Sequence, residues 1–298
     1  MSAPASTPPA EPSTPPRAQA RRPALSPSRA TDFKQCPLKY RLRAIDAIPE
    51  PPTRQAVRGT VVHAVLEDLY GLPQPERGRA RADELVEPAW ARVLAEQPEI
   101  AELHADEGTG PFLAEVRALL DNYYRLEDPT RFSPESREAR VEVELADGVP
   151  ARGFVDRIDV APTGELRVVD YKTGRAPGPV QETKALFQLK FYALVVLRTR
   201  GVLPAQLRLI YLADELILTY TPDSEELDRF ERTLGALWAA ILEAGRTGDF
   251  PPNVSWLCGY CDYKPLCPAH GGTPPVYPGW PQTVGESFEQ IEAEAVSD

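Results

Sequence analysis

The stretch from Glu142 to Lys172 constrains this chain most, because charged residues sit inside runs that otherwise read as buried strands. Val141, Val143 and Leu145 alternate with Glu142 and Glu144, the two-residue period of a half-buried strand. Residues 147–150 (Asp-Gly-Val-Pro) are turn chemistry. A second strand runs from Gly153 to Val160, and Ala161-Pro162-Thr163-Gly164 turns the chain into a third that ends Asp170-Tyr171-Lys172. A hairpin of the last two strands can bring Asp156 near Asp170, and Asp170 and Lys172 share a face because side chains alternate along a strand. Two carboxylates and an ammonium on one face are costly to bury without a partner. A divalent cation such as Mg²⁺ or Mn²⁺ suits such hard oxygen ligands. The plainer reading is an ordinary Asp–Lys pair on a solvated hairpin edge.

The flanks of the chain differ from its middle. Pro4, Pro8, Pro9, Pro12, Pro15, Pro16 and Pro23 crowd the first 25 residues among Ala, Ser and Thr, a composition that cannot bury a core. Residues 1–25 are therefore expected to be a disordered tail, 26–270 one domain, and 271–298, Pro-rich and then acidic, a second flexible tail. No apolar leader and no membrane-length run occurs, which implies a cytoplasmic protein with no membrane partner. The net charge of −11 argues against broad, nonspecific nucleic-acid binding, yet leaves room for a local basic groove.

Within the middle, Ser26 and Pro27 form a helix start. Residues 56–70 form an amphipathic helix with Val57, Val61, Val65 and Leu69 on one stripe; His63 and Glu67, four apart, share a face. Gly59 in that helix costs about 1 kcal/mol relative to Ala and permits a close approach. Residues 78–127 read as helical, broken near Gln97–Pro98 and Gly108–Pro111. A long helix over about 180–199 carries Gln188 and Tyr192 on one face. Two more strands, Leu207–Leu212 and Leu216–Tyr220, precede a helix over 224–247. Taken alone, His63 reads equally as a satisfied histidine and Gln188 as a helix-face residue.

Gly153-Phe154-Val155-Asp156 followed by Val169-Asp170-Tyr171-Lys172-Thr173-Gly174 resembles the core of the PD-(D/E)XK nuclease superfamily, and more closely the RecB-family exonuclease domain. Gly59-x3-His63-x2-Leu66-Glu67 is similar to the first motif of that family, and Gln188-x3-Tyr192 to another. The resemblance implies an α/β fold with a mixed central sheet flanked by helices, and metal-dependent hydrolysis of phosphodiester bonds in DNA repair or recombination. It implies that Asp156 and Asp170 bind one or two Mg²⁺ or Mn²⁺, with His63 and the backbone carbonyl of Tyr171 as further ligands. Lys172 would orient or deprotonate water or stabilise charge on phosphate, while Gln188 and Tyr192 position water or substrate.

Cys258, Cys261 and Cys267 have the C-x2-C-x5-C spacing of metal ligands, and Cys36 lies far upstream. A zinc ion could take Cys258, Cys261, Cys267 and His270, or a 4Fe–4S cluster could take Cys36 with the other three. The arrangement resembles the iron–sulfur staple of the AddB nuclease domain, which implies the cluster. No Gly-x4-Gly-Lys-Ser/Thr phosphate loop occurs in the chain, so single-stranded or frayed DNA, or a separate helicase, is the expected partner. Two alternatives share these residues: a catalytically silent DNA-binding or assembly subunit of a helicase–nuclease complex, and a CRISPR-adaptation nuclease.

Overall fold

The computed structural model describes residues 23–176, 178 and 182–281. The compact unit spans Ala24–Trp280. Its helices are α1 (Pro27–Gln35), α2 (Pro37–Tyr40), α3 (Arg54–Gly71), α4 (Arg79–Glu84), α5 (Val86–Glu96), α6 (Thr109–Leu126), α7 (Glu182–Arg200) and α8 (Ser224–Thr247). The strands are β1 (Ser136–Glu144), β2 (Pro150–Val160), β3 (Leu166–Lys172), β4 (Gln206–Tyr211) and β5 (Leu216–Tyr220), which form one sheet in that order. Every pair is antiparallel except β3–β4, which is parallel. A parallel pair needs a long crossover, and α7 supplies it. The sheet is therefore mixed and flanked by helices, the α/β class expected.

On one face, α3, α5 and α6 bury Val61, Val65, Leu69, Trp90, Phe112 and Leu120 against Val169, Tyr171, Ile210 and Leu212 of the sheet. On the other, α7 packs across β1, β2 and β4, with α8 behind it. The valine–leucine stripe of α3 is buried because it faces the sheet, and the Thr53 hydroxyl accepts from the Ala56 amide to start that helix. A Cβ on Gly59 would stand 3.2 Å from Thr173 Oγ1, so the missing side chain lets α3 lie close to the end of β3.

The domain ends later than composition implies. Tyr277 donates to the Gly245 carbonyl at 2.7 Å, and the Trp280 ring lies over Gly245, where a Cβ would stand 2.2 Å from it. The flexible tail expected from 271 is thus packed against α8 as far as Trp280, because Pro-rich composition conceals two aromatic anchors. At the other end Leu25, expected in the tail, is fully buried and bridges Ala151. The remainder of both expected tails, 1–22 and 282–298, lies outside the described residues.

His104 is buried between Trp90 and Phe112, and neither ring nitrogen has a partner among the described residues. Burial, helped by the charge of Arg54, pushes its pKa down. The unfolded chain therefore binds a proton here that the folded one refuses, and stability falls as pH drops through the ordinary histidine value near ~6.5. His104→Leu is expected to flatten the fall in thermal midpoint between pH 7 and pH 5; a fall as steep as the parent's contradicts this reading of His104.

Candidate active site

The register of three adjacent strands builds the site. Arg157 pairs with Val169, so Asp156 on β2 stands opposite Asp170 on β3 one step further on. Arg137–Arg157 and Ala139–Val155 pairs flank Glu138, which places Glu138 on β1 opposite Asp156. Three carboxylates thus form a row across strands about 4.8 Å apart. Glu138 holds a φ of +42°, a region costly for a residue with a Cβ.

Each carboxylate has a different set of neighbours. Asp156 Oδ2 accepts from the Tyr171 amide at 2.6 Å and lies 3.5 Å from His63 Nδ1. Asp170 Oδ1 accepts from Gln188 Nε2 at 2.8 Å. Asp170 Oδ2 stands 2.6 Å from Lys172 Nζ in a buried ion pair, and no other side chain or amide among the described residues meets it. Burial raises the Asp170 carboxyl; Asp156 adds to this and Lys172 opposes it, leaving the group at about 6. Burial opposes protonation of His63, but hydrogen bonds to Asp156 and Glu138 outweigh it and bring that imidazole up to about 10. Burial likewise opposes the charge on Lys172, and Asp170 overcomes it and raises the ammonium's pKa. The site collects positive charge wherever it can, which is the electrostatic signature of a cation position.

His63, Glu138 and Asp156 each offer a ligand atom, all within 4.8 Å of one another. His63 Nε2 also lies 3.0 Å from the Tyr171 carbonyl. Asp170 sits beside this trio rather than within it, in a cleft that it shares with His63 and Asp156. That cleft has a volume of about 770 Å³, and its walls include His63, Asp156, Asp170, Lys172, Gln188 and Tyr192. The donor set, hard oxygens with one imidazole and a spare buried lone pair on Asp170, fits Mg²⁺ or Mn²⁺. The Tyr192 ring lies against Gly153, where a Cβ would come within 2.9 Å of it. Glu67 faces a second hollow behind His63 and Glu138, and burial together with Glu138 raises its pKa.

Residues 24–268 match the PD-(D/E)XK nuclease superfamily. The chain belongs to that superfamily. The nuclease is 31% identical over 206 residues to the gene 69 protein of Mycobacterium phage D29, covering 62% of this chain and 72% of that protein. It is 26% identical over 288 residues to the gene 69 protein of Mycobacterium phage L5, covering 83% and 96%. A crystal structure from Eubacterium rectale, of a protein provisionally named an exonuclease, superposes with a TM-score of 0.55 at 13% identity over 80% of this chain and 87% of that one. That likeness is one of fold.

Two groups of residues escaped sequence reasoning. Glu138 lies in a charged run, Ser136–Arg140, with no apolar alternation to flag it. Arg157, wholly buried, is held by Glu127 at 2.8 and 3.0 Å and by Asp159 at 3.0 Å, and donates to the hydroxyls of Tyr70 and Tyr171. This network grips Tyr171 from the far face of the sheet, and the Tyr171 backbone carries the amide on Asp156 and the carbonyl beside His63.

Cys36, Cys258, Cys261 and Cys267 are free thiols that line one cavity of about 270 Å³ together with His270. Among the described residues, no three of these ligands converge to within 4.8 Å of one another, so they do not form a closed single-ion site. The Asn253 and Ser255 amides each lie 3.4 Å from a sulfur, of Cys36 and Cys258 respectively.

Glu138→Gly removes a carboxylate and relieves a left-handed backbone at once. It is expected to leave the thermal midpoint no lower than the parent's, yet to raise the Mn²⁺ concentration needed for half-maximal thermal stabilisation at least tenfold; an unchanged Mn²⁺ requirement contradicts a ligand role for Glu138.

Proposed function

We propose that this nuclease is a Mg²⁺- or Mn²⁺-dependent deoxyribonuclease that hydrolyses phosphodiester bonds at single-stranded or frayed DNA ends, as a RecB-family exonuclease would in repair or recombination. The observation that carries the reading is Asp156 and Asp170 with Lys172 in one cleft, and Glu138 and His63 closing on Asp156 from its edge: acids that need a cation beside one ammonium that can meet phosphate. Asp156 and Asp170 are the residues to hold the metal, with His63, the Tyr171 carbonyl and Glu138 around them. A bound divalent ion supplies Lewis-acid polarisation of the phosphate and an acidified water. Gln188 fixes the rotamer of Asp170 through its amide on one carboxylate oxygen, and the other oxygen, paired with Lys172, faces the cleft where a metal would sit. Lys172, a compact donor among a chain rich in arginine, orients the water or stabilises charge on the phosphate oxygens. Tyr192, seated on Gly153, presents its hydroxyl to the same cleft and positions substrate or water. The protein would act in the cytoplasm beside a helicase that supplies unwound strands.

The same reading assigns Cys36, Cys258, Cys261 and Cys267 to a 4Fe–4S cluster that ties α1 and α2 to the C-terminal loop. Two features support it. All four thiols share one cavity, and backbone amides already point at two of the sulfurs. Such a staple contributes folding free energy directly.

Anaerobically purified protein should cleave end-labelled single-stranded DNA with Mn²⁺ or Mg²⁺ and not with EDTA, and should be brown. Lys172→Ala should lose cleavage by at least a thousandfold with its thermal midpoint and visible spectrum retained. Full activity of that variant would remove Lys172 from the chemistry. A brown protein that never cuts would favour a silent assembly subunit, and a colourless, zinc-containing one would remove the cluster.

A further inference from the structure

Phe154 lies two residues before Asp156 on β2 and leaves 59% of its surface open to solvent. It is a wall of the active-site cleft, and among the described residues no ring or guanidinium stacks on it. Most other cleft aromatics are engaged: Phe187 packs edge-on to Phe230 and under Lys34, and Tyr192 rests on Gly153. Side chains at 154 and 156 share a sheet face, and the strand rise separates them by about 7 Å. Arg140 is the direct cross-strand partner of Phe154, and Arg152, on the same face of β2, also lines the cleft. Arg140 is bonded to Glu142 at 2.5 Å.

We propose that Phe154 is a stacking platform for an unpaired base of the substrate strand, set next to the scissile phosphate, with Arg140 and Arg152 following the sugar–phosphate backbone. This rests on the nuclease reading and adds to it the device that selects single strands. An exposed aromatic face takes any unpaired base, because every base has a π-face, and a base kept in a duplex has none to offer. An arginine pair along the same strand pair meets the phosphates that an apolar protein partner would lack. Continuity with the metal cleft sets the occupant: a strand whose phosphate reaches Asp156 and Asp170 must pass Phe154 about one nucleotide step away.

The test uses the full chain with Lys172→Ala to silence hydrolysis, in Mn²⁺, and reads fluorescence anisotropy of a labelled oligothymidine. Adding Phe154→Ala is expected to weaken single-strand binding about tenfold. Phe154→Trp should restore it, and affinity for a blunt duplex should stay the same for all three. Undiminished single-strand affinity of the alanine variant overturns the platform, as does an equal loss on blunt duplex, which would mark a general structural defect. The nuclease reading is checked separately by cleavage with Lys172 intact: a Phe154→Ala protein that cuts single strands at parental rate and affinity removes the platform and leaves the nuclease standing.

Discussion

Three carboxylates in register on adjacent strands repel one another, and the neighbourhood of Glu138, Asp156 and Asp170 is arranged around that repulsion. Like charges directly opposite in a sheet are destabilising. Here the penalty is offset by an amide on Asp156, a glutamine on one oxygen of Asp170, a lysine on the other, and a histidine drawn toward its charged form. Even so, one Asp170 lone pair is left over, and Glu138 keeps a backbone angle that costs on the order of 1 kcal/mol. Residual negative charge and stored strain at one spot are what a cation site looks like before its cation arrives.

The site's rigidity comes from behind the sheet. Arg157 and Glu127 are buried together, and removing either partner of such a pair typically costs about 3–5 kcal/mol because the other is left charged and dry. Their link to Tyr171 fixes a residue whose backbone serves the opposite face. Gly59 and Gly153 act by absence: the first lets α3 bring His63 to the end of β3, and the second makes room for Tyr192. Far from the cleft, Tyr263 donates to the Ile48 carbonyl at 2.9 Å, so the cysteine-bearing loop is already joined to the N-terminal segment by protein contacts.

Much of this was legible in the chain. Period-two alternation and turn chemistry located β2 and β3, and the alternation rule then set Asp170 and Lys172 on one face. The helix start that Ser26 and Pro27 signal is where the Ser26 side chain caps α1, whereas the Thr53 cap of α3 carries no such signal. Glu138 was not legible, because its role depends on a pairing register and a positive φ that no local pattern announces. Buried Arg157 looks in sequence like any surface arginine, since only its partners Tyr70 on α3, Glu127 just past α6 and Tyr171 on β3 distinguish it. The packed stretch up to Trp280 was hidden by proline-rich composition, which describes average behaviour and not two well-placed aromatic rings.

The most direct test is a crystal of the nuclease soaked in Mn²⁺ and measured for anomalous scattering. The predicted result is a peak within coordination distance of the Asp156 and Asp170 carboxylates that disappears in Asp170→Asn. A well-ordered crystal with no Mn²⁺ at that position, or with Mn²⁺ bound only in the Glu67 hollow behind His63, would contradict it.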